Sequence, residues 1–543
     1  MFEVGRDIFK HGSNDMRAPH GNTKRMSVVF KLFCLAFVIF VGKTLYLGSV
    51  GSDENRAQIS GDWNVTRADI VDRNGIDILA KNIASCDIAL VPSRLADKNK
   101  ERAAQAIHDV LPYKYSLSDA LNLVHNTTRY KLLAKNVPDA KCKQARGAKI
   151  EGVDVRRVQT RKYPKHRLFS HVVGFVGEDG HGLEGAERIF DDYLSENIAP
   201  LRLSLDTRIQ MAFYDQLSIA MQKYDAKGAM GMLMNSRTGE MLAMVSLPDF
   251  DPENRNLDPA SNHLFSPLRG VFEMGSVFKI FNTAMAMENG INKKYVINKP
   301  YPIYDKNGRV ATRVTDVATF RPKTPTMSVE EIMLHSCNVG SAQIALDLPD
   351  GTQKEFFHRL HLDEKLDLEF GKTEKPLMPR KWGPVERATL SYGHGISVTP
   401  MHLLLAVNAM TNGGIYIYPT LQKRGIGAVR GERVLSEEIS ARLRNVMFGV
   451  VEETSGKNAR VPGFRIGGKT GTAEKYISGT NDKKRNQTAF VGIFPVDAPQ
   501  YILLVILDEP KGIKETWNLR TSAWNAVPTA GKIMSSILPL LFE

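Results

Sequence analysis

The sequence predicts an α+β fold whose main sheet is assembled from the two ends of its C-terminal part, residues 203–543. Two apolar, strand-like runs, Gly228 to Asn235 and Met241 to Ser246, lie near the start of that part. Three more, Arg465 to Thr472, Gln487 to Phe494 and Tyr501 to Asp508, lie near its end. Helical material fills the interval, so five strands drawn from distant segments complete one sheet flanked by helices.

At 543 residues the chain is long for one core, and several units are expected. With 43% hydrophobic and 24% charged residues it has an ordinary globular composition, which excludes a wholly disordered or multi-spanning protein. Its 72 Lys+Arg against 59 Asp+Glu leave +13, which suits an anionic partner such as nucleic acid, anionic lipid or an acidic cell-wall polymer. No zinc-finger spacing or aromatic-basic ribonucleoprotein pattern accompanies that charge, so no nucleic-acid partner is expected. The cysteines Cys34, Cys86, Cys142 and Cys337 form no CxxC pair, which argues against a zinc or dithiol site. Only Cys86 and Cys142 are placed to bridge, and free thiols are the expectation.

Residues 27–47, SVVFKLFCLAFVIFVGKTLYL, would span about 30 Å as a helix, the thickness of a bilayer core. Lys31 and Lys43 sit near its ends, where their stems can carry the ammonium groups to the interface. Small residues at 48–52 would suit signal-peptide cleavage, but the apolar pattern resumes after Lys43 and favours an uncleaved anchor. Lys10, Arg17, Lys24 and Arg25 precede the span, whereas Asp53 and Glu54 follow it. Residues 1–26 are therefore expected to stay cytoplasmic, with the rest exported behind a single transmembrane helix.

Between 56 and 200, turn signals at Asn74-Gly75, Val91-Pro92, Val137-Pro138, Tyr163-Pro164 and Gly180-His181-Gly182 punctuate short apolar segments. They predict a strand-rich pedestal with inserted helices, for example Lys100 to Val110. His166, His171, His358 and His361 have no metal-ligand companions and are assigned surface or packing roles. Beyond the pedestal, Asp206 caps a helix running to Asp225, Arg237-Thr238-Gly239 turns between the first two strands, and a last helix begins near Pro528.

Chemistry concentrates in three short motifs. Ser276-Val277-Phe278-Lys279 opens a segment, VFKIFNTAMAMENG, that is apolar nearly all round and stops at Asn289-Gly290. That predicts a buried helix with Ser276 at its N-terminus and Lys279 one turn along on the same face. Desolvation in such a helix lowers a lysine pKa toward that of a general base, which makes Ser276 a credible nucleophile. Ser336-Cys337-Asn338 follows, and Lys469-Thr470-Gly471-Thr472 lies on the strand entered through Gly467-Gly468. Each motif alone is weak, and Ser195-Glu196-Asn197 matches the second one as an ordinary helix end. Their order and context make the set specific.

The set S-x-x-K, S-x-N, K-T-G resembles that of β-lactamases and penicillin-binding proteins. The likeness is greatest to class B, monofunctional penicillin-binding proteins, and runs from the apolar segment to the C-terminus. Its pedestal signature is visible in Arg67, Ile70, Asp72, Arg73 and Gly75, then Arg161 to Pro164, then Gly182 to Gly185. Ala68 stands where glycine is usual, and Met274 where proline is usual; neither touches a reacting group. The resemblance implies a serine transpeptidase/β-lactamase-like domain, residues 203–543, on a pedestal, residues 56–200. It implies that Ser276 attacks the penultimate D-alanine of a peptidoglycan stem peptide, releases the last D-alanine and passes the acyl group to a neighbouring amine. Lys279 would take the serine proton, and Ser336 with Lys469 would serve the leaving amine. Asn338 would hold Lys279 and the substrate amide, while Thr470, Gly471 and Thr472 bind substrate. The amides of Ser276 and Thr472 would form an oxyanion hole. No cofactor or metal is needed, and β-lactams would enter the same cleft.

Ser391 to Pro400, SYGHGISVTP, resembles the divisional branch more than the elongation branch, which implies septal localisation, a membrane-embedded polymerase and other division proteins as partners. His394 within it is assigned a turn or packing role, because Lys279 already supplies the base. The rival readings are an elongation-branch enzyme, a D,D-carboxypeptidase or β-lactamase-like hydrolase, and an idle division scaffold; the intact motifs disfavour the last. Protease added to spheroplasts is expected to digest the large domain while sparing an N-terminal tag. Recovery of a soluble chain lacking residues 1–48 would mark a cleaved signal instead.

Overall fold

Alternation of inward apolar residues with turn-closing polar ones builds the pedestal. The computed structural model describes residues 67–542 apart from 306, 318–319, 425–428, 430 and 478–479, together with Lys31, Cys34, Leu35 and Phe37. Those four are helical and exposed; the rest of the apolar run at 27–47 lies outside the described residues. Among the described residues no helix is long and apolar enough to cross a membrane.

In chain order the first part runs β1 (Ile70–Val71), β2 (Ile78–Leu90), α1 (Lys100–Val110), α2 (Leu117–Asn126), β3 (Lys131–Pro138), α3 (Asp139–Gly147), β4 (Val153–Lys162), α4 (Gly185–Ile189), α5 (Asp191–Glu196) and β5 (Leu201–Arg202). β2 is the spine, antiparallel to β1, β3 and β4, and β1 continues in parallel to β5. The turn between β1 and β2 is closed by Asp72, whose carboxylate accepts from the amides of Asn74, Ile76 and Asp77, with Gly75 at φ 73°. α1 has the predicted bounds and turns Ala103, Ala104, Ile107 and Val110 inward, one helical face.

The free-thiol expectation for Cys86 and Cys142 is corrected: the two are disulfide-bonded, with Cα atoms 5.9 Å apart. Cys86 points inward from β2, opposite Val137 of β3, and α3 follows β3 at once and presents Cys142 from its buried side. Strand pairing therefore closes a sequence separation of 56 that spacing alone does not reveal. Cys34 and Cys337 are free.

Two signature arginines converge on one carboxylate. Arg67 Nε lies 2.6 Å from Glu187 Oε2 and Arg161 Nε 2.7 Å from Glu187 Oε1, and all three residues are buried. Arg67 also reaches Asp191 at 2.6 Å. One ionic knot thus joins the approach to β1, the end of β4, α4 and α5.

The second part contains α6 (Thr207–Lys223), β6 (Gly228–Asn235), β7 (Met241–Leu247), α7 (Lys279–Glu288), α8 (Val329–Leu334), α9 (Asn338–Asp347), α10 (Pro400–Thr411), α11 (Glu437–Glu453), β8 (Gly467–Ile477), β9 (Thr480–Phe494), β10 (Tyr501–Asp508) and α12 (Ala526–Phe542). Its sheet has five strands in the order β8-β9-β10-β6-β7, antiparallel throughout. β10 is apolar on both faces: Ile502, Leu504 and Ile506 join one core with α7 and α10, while Leu503, Val505 and Leu507 join a second with α6 and α12. The α+β expectation therefore describes the fold. β8 starts two residues later than expected and runs further, and Asp206 caps α6 by accepting from Arg208 N at 3.0 Å.

Glu187→Ala would strand two buried guanidinium groups, and is expected to cost roughly 3–5 kcal/mol of stability, the usual cost of breaking a buried ion pair from one side. Denaturant midpoints of the two chains test this; an unchanged midpoint would mean that water reaches the knot.

Candidate active site

α7 is buried from Lys279 to Met287, so its amine has no water to lean on. Ser276 does not sit on the helix proper, as the sequence suggests; it lies on a 3-10 turn, Gly275–Phe278, that feeds directly into α7. The turn keeps the S-x-x-K geometry: Lys279 Nζ lies 2.7 Å from Ser276 Oγ. The same nitrogen lies 2.7 Å from Asn338 Oδ1, at the start of α9. Burial pushes the Lys279 amine down to about 8, against the opposing pull of Asp316.

A second serine-lysine pair faces the first. Lys469, fully buried on β8, places Nζ 3.0 Å from Ser336 Oγ and 3.2 Å from the Thr470 carbonyl. Burial, and then the charge of Lys279, hold its amine well below the ordinary lysine value. Ser336 joins α8 to α9 at φ 59°, a left-handed conformation that a non-glycine residue adopts at some cost and that fits a positioned polar side chain.

The Ser276 turn approaches the strand closely, through its backbone and the Val277 side chain. Gly275 has φ 52°, and a Cβ there would lie 2.4 Å from Thr472 O; one on Gly471 would lie 2.4 Å from Met274 O. Gly393, at φ 80°, would clash with Gly275 O at 2.1 Å. Three glycines thus let the Ser276 turn press between β8 and the Tyr392–Gly395 loop, where a Cβ on any of them would overlap a carbonyl oxygen. Glu273 fastens that loop by accepting from Gly395 N at 2.9 Å.

The sequence-predicted residues fall into two contact groups, Ser276-Lys279-Asn338 and Ser336-Lys469, linked through the charge of Lys279 on Lys469, and Gly471 and Thr472 border the turn. Thr470 Oγ1 lies 2.9 Å from Ser455 Oγ, and Thr472 Oγ1 accepts from Ser522 N at 3.1 Å. Ser195-Glu196-Asn197 ends α5 and contributes nothing here. His394 packs edge-on to Tyr392, and burial, then Lys279, pushes its imidazole down to about 4, so it is neutral at physiological pH.

Sequence reasoning missed several neighbours. Asp316 accepts from Asn338 N and from the Cys337 thiol, the latter at 3.2 Å. Burial and then Asp316 push that thiol up to about 12, so Cys337 stays protonated and serves as the N-cap of α9, accepting from Gly340 N. Tyr392, noted only as a branch marker, sets its ring 5.8 Å from Lys279 Nζ. Ser455 follows α11 with no motif to announce it. A cavity of about 360 Å³ between α4 and the second part, lined by Arg188, Phe265 and Phe370 among others, lies apart from these groups.

Comparison with known proteins identifies two domains and several relatives. Residues 229–535 match the penicillin binding protein transpeptidase domain, and residues 62–197 the penicillin-binding protein dimerisation domain. A probable peptidoglycan D,D-transpeptidase FtsI of Caulobacter vibrioides is 33% identical over 494 residues, covering 88% of this chain and 81% of its own. The peptidoglycan D,D-transpeptidase FtsI of Escherichia coli K12 is 29% identical, covering 76% of this chain and 72% of its own. Penicillin Binding Protein 2X from Streptococcus thermophilus shares the fold at a TM-score of 0.72 and 19% identity, covering 88% of this chain and 79% of that one.

If Lys279 accepts the Ser276 proton, its neutral form is the active one, and that form is lost as pH falls through about 8. The rate at which penicillin modifies Ser276 is then expected to fall about tenfold per unit below that pH and to level off above it. A flat profile from about pH 6 to 9 would remove Lys279 from this role.

Proposed function

The chain belongs to the penicillin-binding protein transpeptidase family, and from that premise we propose that Ser276 is the residue through which it cross-links peptidoglycan. It is a serine-type peptidoglycan D,D-transpeptidase. The observation that carries the Ser276 assignment is the contact of a fully buried lysine amine with the serine hydroxyl, shared with Asn338.

In the first half-reaction the neutral Lys279 amine takes the Ser276 proton as Oγ bonds to the carbonyl carbon of the penultimate D-alanine. The amides of Ser276 and Thr472 receive the oxyanion, in a turn too tight to relax away from them. The C–N bond then breaks, and a proton passes through Ser336, beside Lys469, to the departing amine of the terminal D-alanine. Thr470, supported by Ser455, and Thr472 hold the terminal carboxylate. A second stem-peptide amine attacks the ester, loses its proton to the Lys279 side and restores the Ser276 hydroxyl. A β-lactam follows the first half-reaction, but its leaving nitrogen stays tethered in the cleft and impedes the second.

The remaining assignments rest on sequence pattern and likeness. Residues 27–47 anchor the chain in the cytoplasmic membrane, with 1–26 inside and the pedestal, 56–200, and transpeptidase domain, 203–543, outside. The division septum is its place of work, beside a membrane-embedded polymerase and other division proteins, a reading supported by the FtsI relatives and the Tyr392–Pro400 segment.

Benzylpenicillin is expected to add one covalent equivalent to the full chain by intact mass, and Ser276→Ala to abolish it. Lys279→Ala should slow labelling at least about a hundredfold, and Lys279→Arg should fare little better because guanidinium stays protonated. An adduct that persists for many minutes fits a transpeptidase, whereas rapid clearance would mark a hydrolase. Undiminished labelling of Ser276→Ala would overturn the assignment.

A further inference from the structure

Trp517 is 71% exposed on the segment between β10 and α12. It and Asn518 are consecutive non-glycine residues in the left-handed region, at φ 49° and 59°. The segment is nonetheless firmly built. Trp517 N donates to Lys514 O at 3.1 Å and Asn518 N to Ile513 O at 2.9 Å. The buried Thr516 hydroxyl bonds to the Ile513 and Leu519 backbone, and Gly512 packs so closely on Asn518 that a Cβ would lie 2.2 Å from its carbonyl oxygen. A backbone held in an uncommon conformation to display a large aromatic side chain is a feature that calls for a ligand.

The display is tied to the substrate strand. Trp517 stacks edge-to-face on the half-buried Trp524, with centroids 5.1 Å apart. Two residues before Trp524, Ser522 N donates to Thr472 Oγ1 at 3.1 Å and Ser522 Oγ donates to Ala489 O at 2.6 Å. The tryptophan pair therefore extends from the edge of the motif that holds the stem peptide.

We propose that Trp517 and Trp524 form a carbohydrate-stacking subsite that receives a sugar ring of the glycan strand from which the bound stem peptide hangs; this rests on the transpeptidase reading above. A pyranose presents a face of C–H bonds that packs on the electron-rich face of indole, while its hydroxyls stay wet. The neighbouring positions fit that amphipathic ligand: Lys514, Glu515 and Asn518 are exposed polar residues of the same segment, and Leu519 is 38% exposed and adds apolar surface to it.

The test compares a glycan-borne stem pentapeptide with the same peptide free of sugar, using the full chain and its Trp517→Ala and Trp517→Phe variants. Trp517→Ala is expected to raise KM for the glycan-borne substrate about tenfold, with kcat, the free peptide and benzylpenicillin acylation unchanged, and Trp517→Phe to restore most of the loss. Equal effects on both peptides, or slowed acylation, would show that the loop merely supports Thr472 and would overturn the proposal. So would unchanged kinetics in a Trp517→Ala chain that fails to sustain division, which would mark a protein-docking surface. A wild-type chain that penicillin does not acylate would instead remove the transpeptidase reading.

Discussion

Two lysine amines buried within reach of each other's charge are the constraint around which the catalytic half is organised. Neither Lys279 nor Lys469 has exposed surface, and each is held below its ordinary pKa by burial first. Two ammonium groups in one dry site are costly, so burial biases both amines toward their neutral forms. Every other feature of the site serves to keep them dry and aimed. α7 is buried from Lys279 to Met287, β8 lies at the end of a sheet whose middle strand is buried on both faces, and Asn338 reaches across from α9 to hold the first amine.

Rigidity is distributed unevenly to match. The Ser276 turn is held at close backbone approaches by Gly275, Gly393 and Gly471, where a single methyl group would overlap a carbonyl oxygen. Such a contact has no rotamers and leaves the oxyanion position little freedom. In the pedestal the corresponding device is ionic: Glu187 gathers Arg67 and Arg161 in a buried knot that ties four segments together.

What the sequence made legible follows from range. The strands β6, β7 and β10, the cap at Asp206 and the helix at 100–110 are encoded within a dozen residues each, and pattern finds them. The three motifs are equally local, and their side chains meet because the fold brings three short words together. Asp316, Ser455 and the Cys86–Cys142 bond have no local signature. Each acquires its meaning from a partner supplied by another segment, so one sequence carries no trace of it. The placement of Ser276 on a 3-10 turn belongs to the same class, since the approach of β8, not helix propensity, shapes that turn.

The strand order has a consequence in time as well as space. β6 is made early in the catalytic half, yet its neighbour β10 is Tyr501–Asp508, and Lys469 arrives on β8 only after α7 to α11 have been synthesised. Until β8 and β10 have been translated, the Ser276 turn lacks the strand that packs against it, and the edge of β6 lacks its pairing partner. Of the two serine-lysine contacts, Ser276 with Lys279 is thus local, whereas Ser336 with Lys469 is assembled from segments translated far apart.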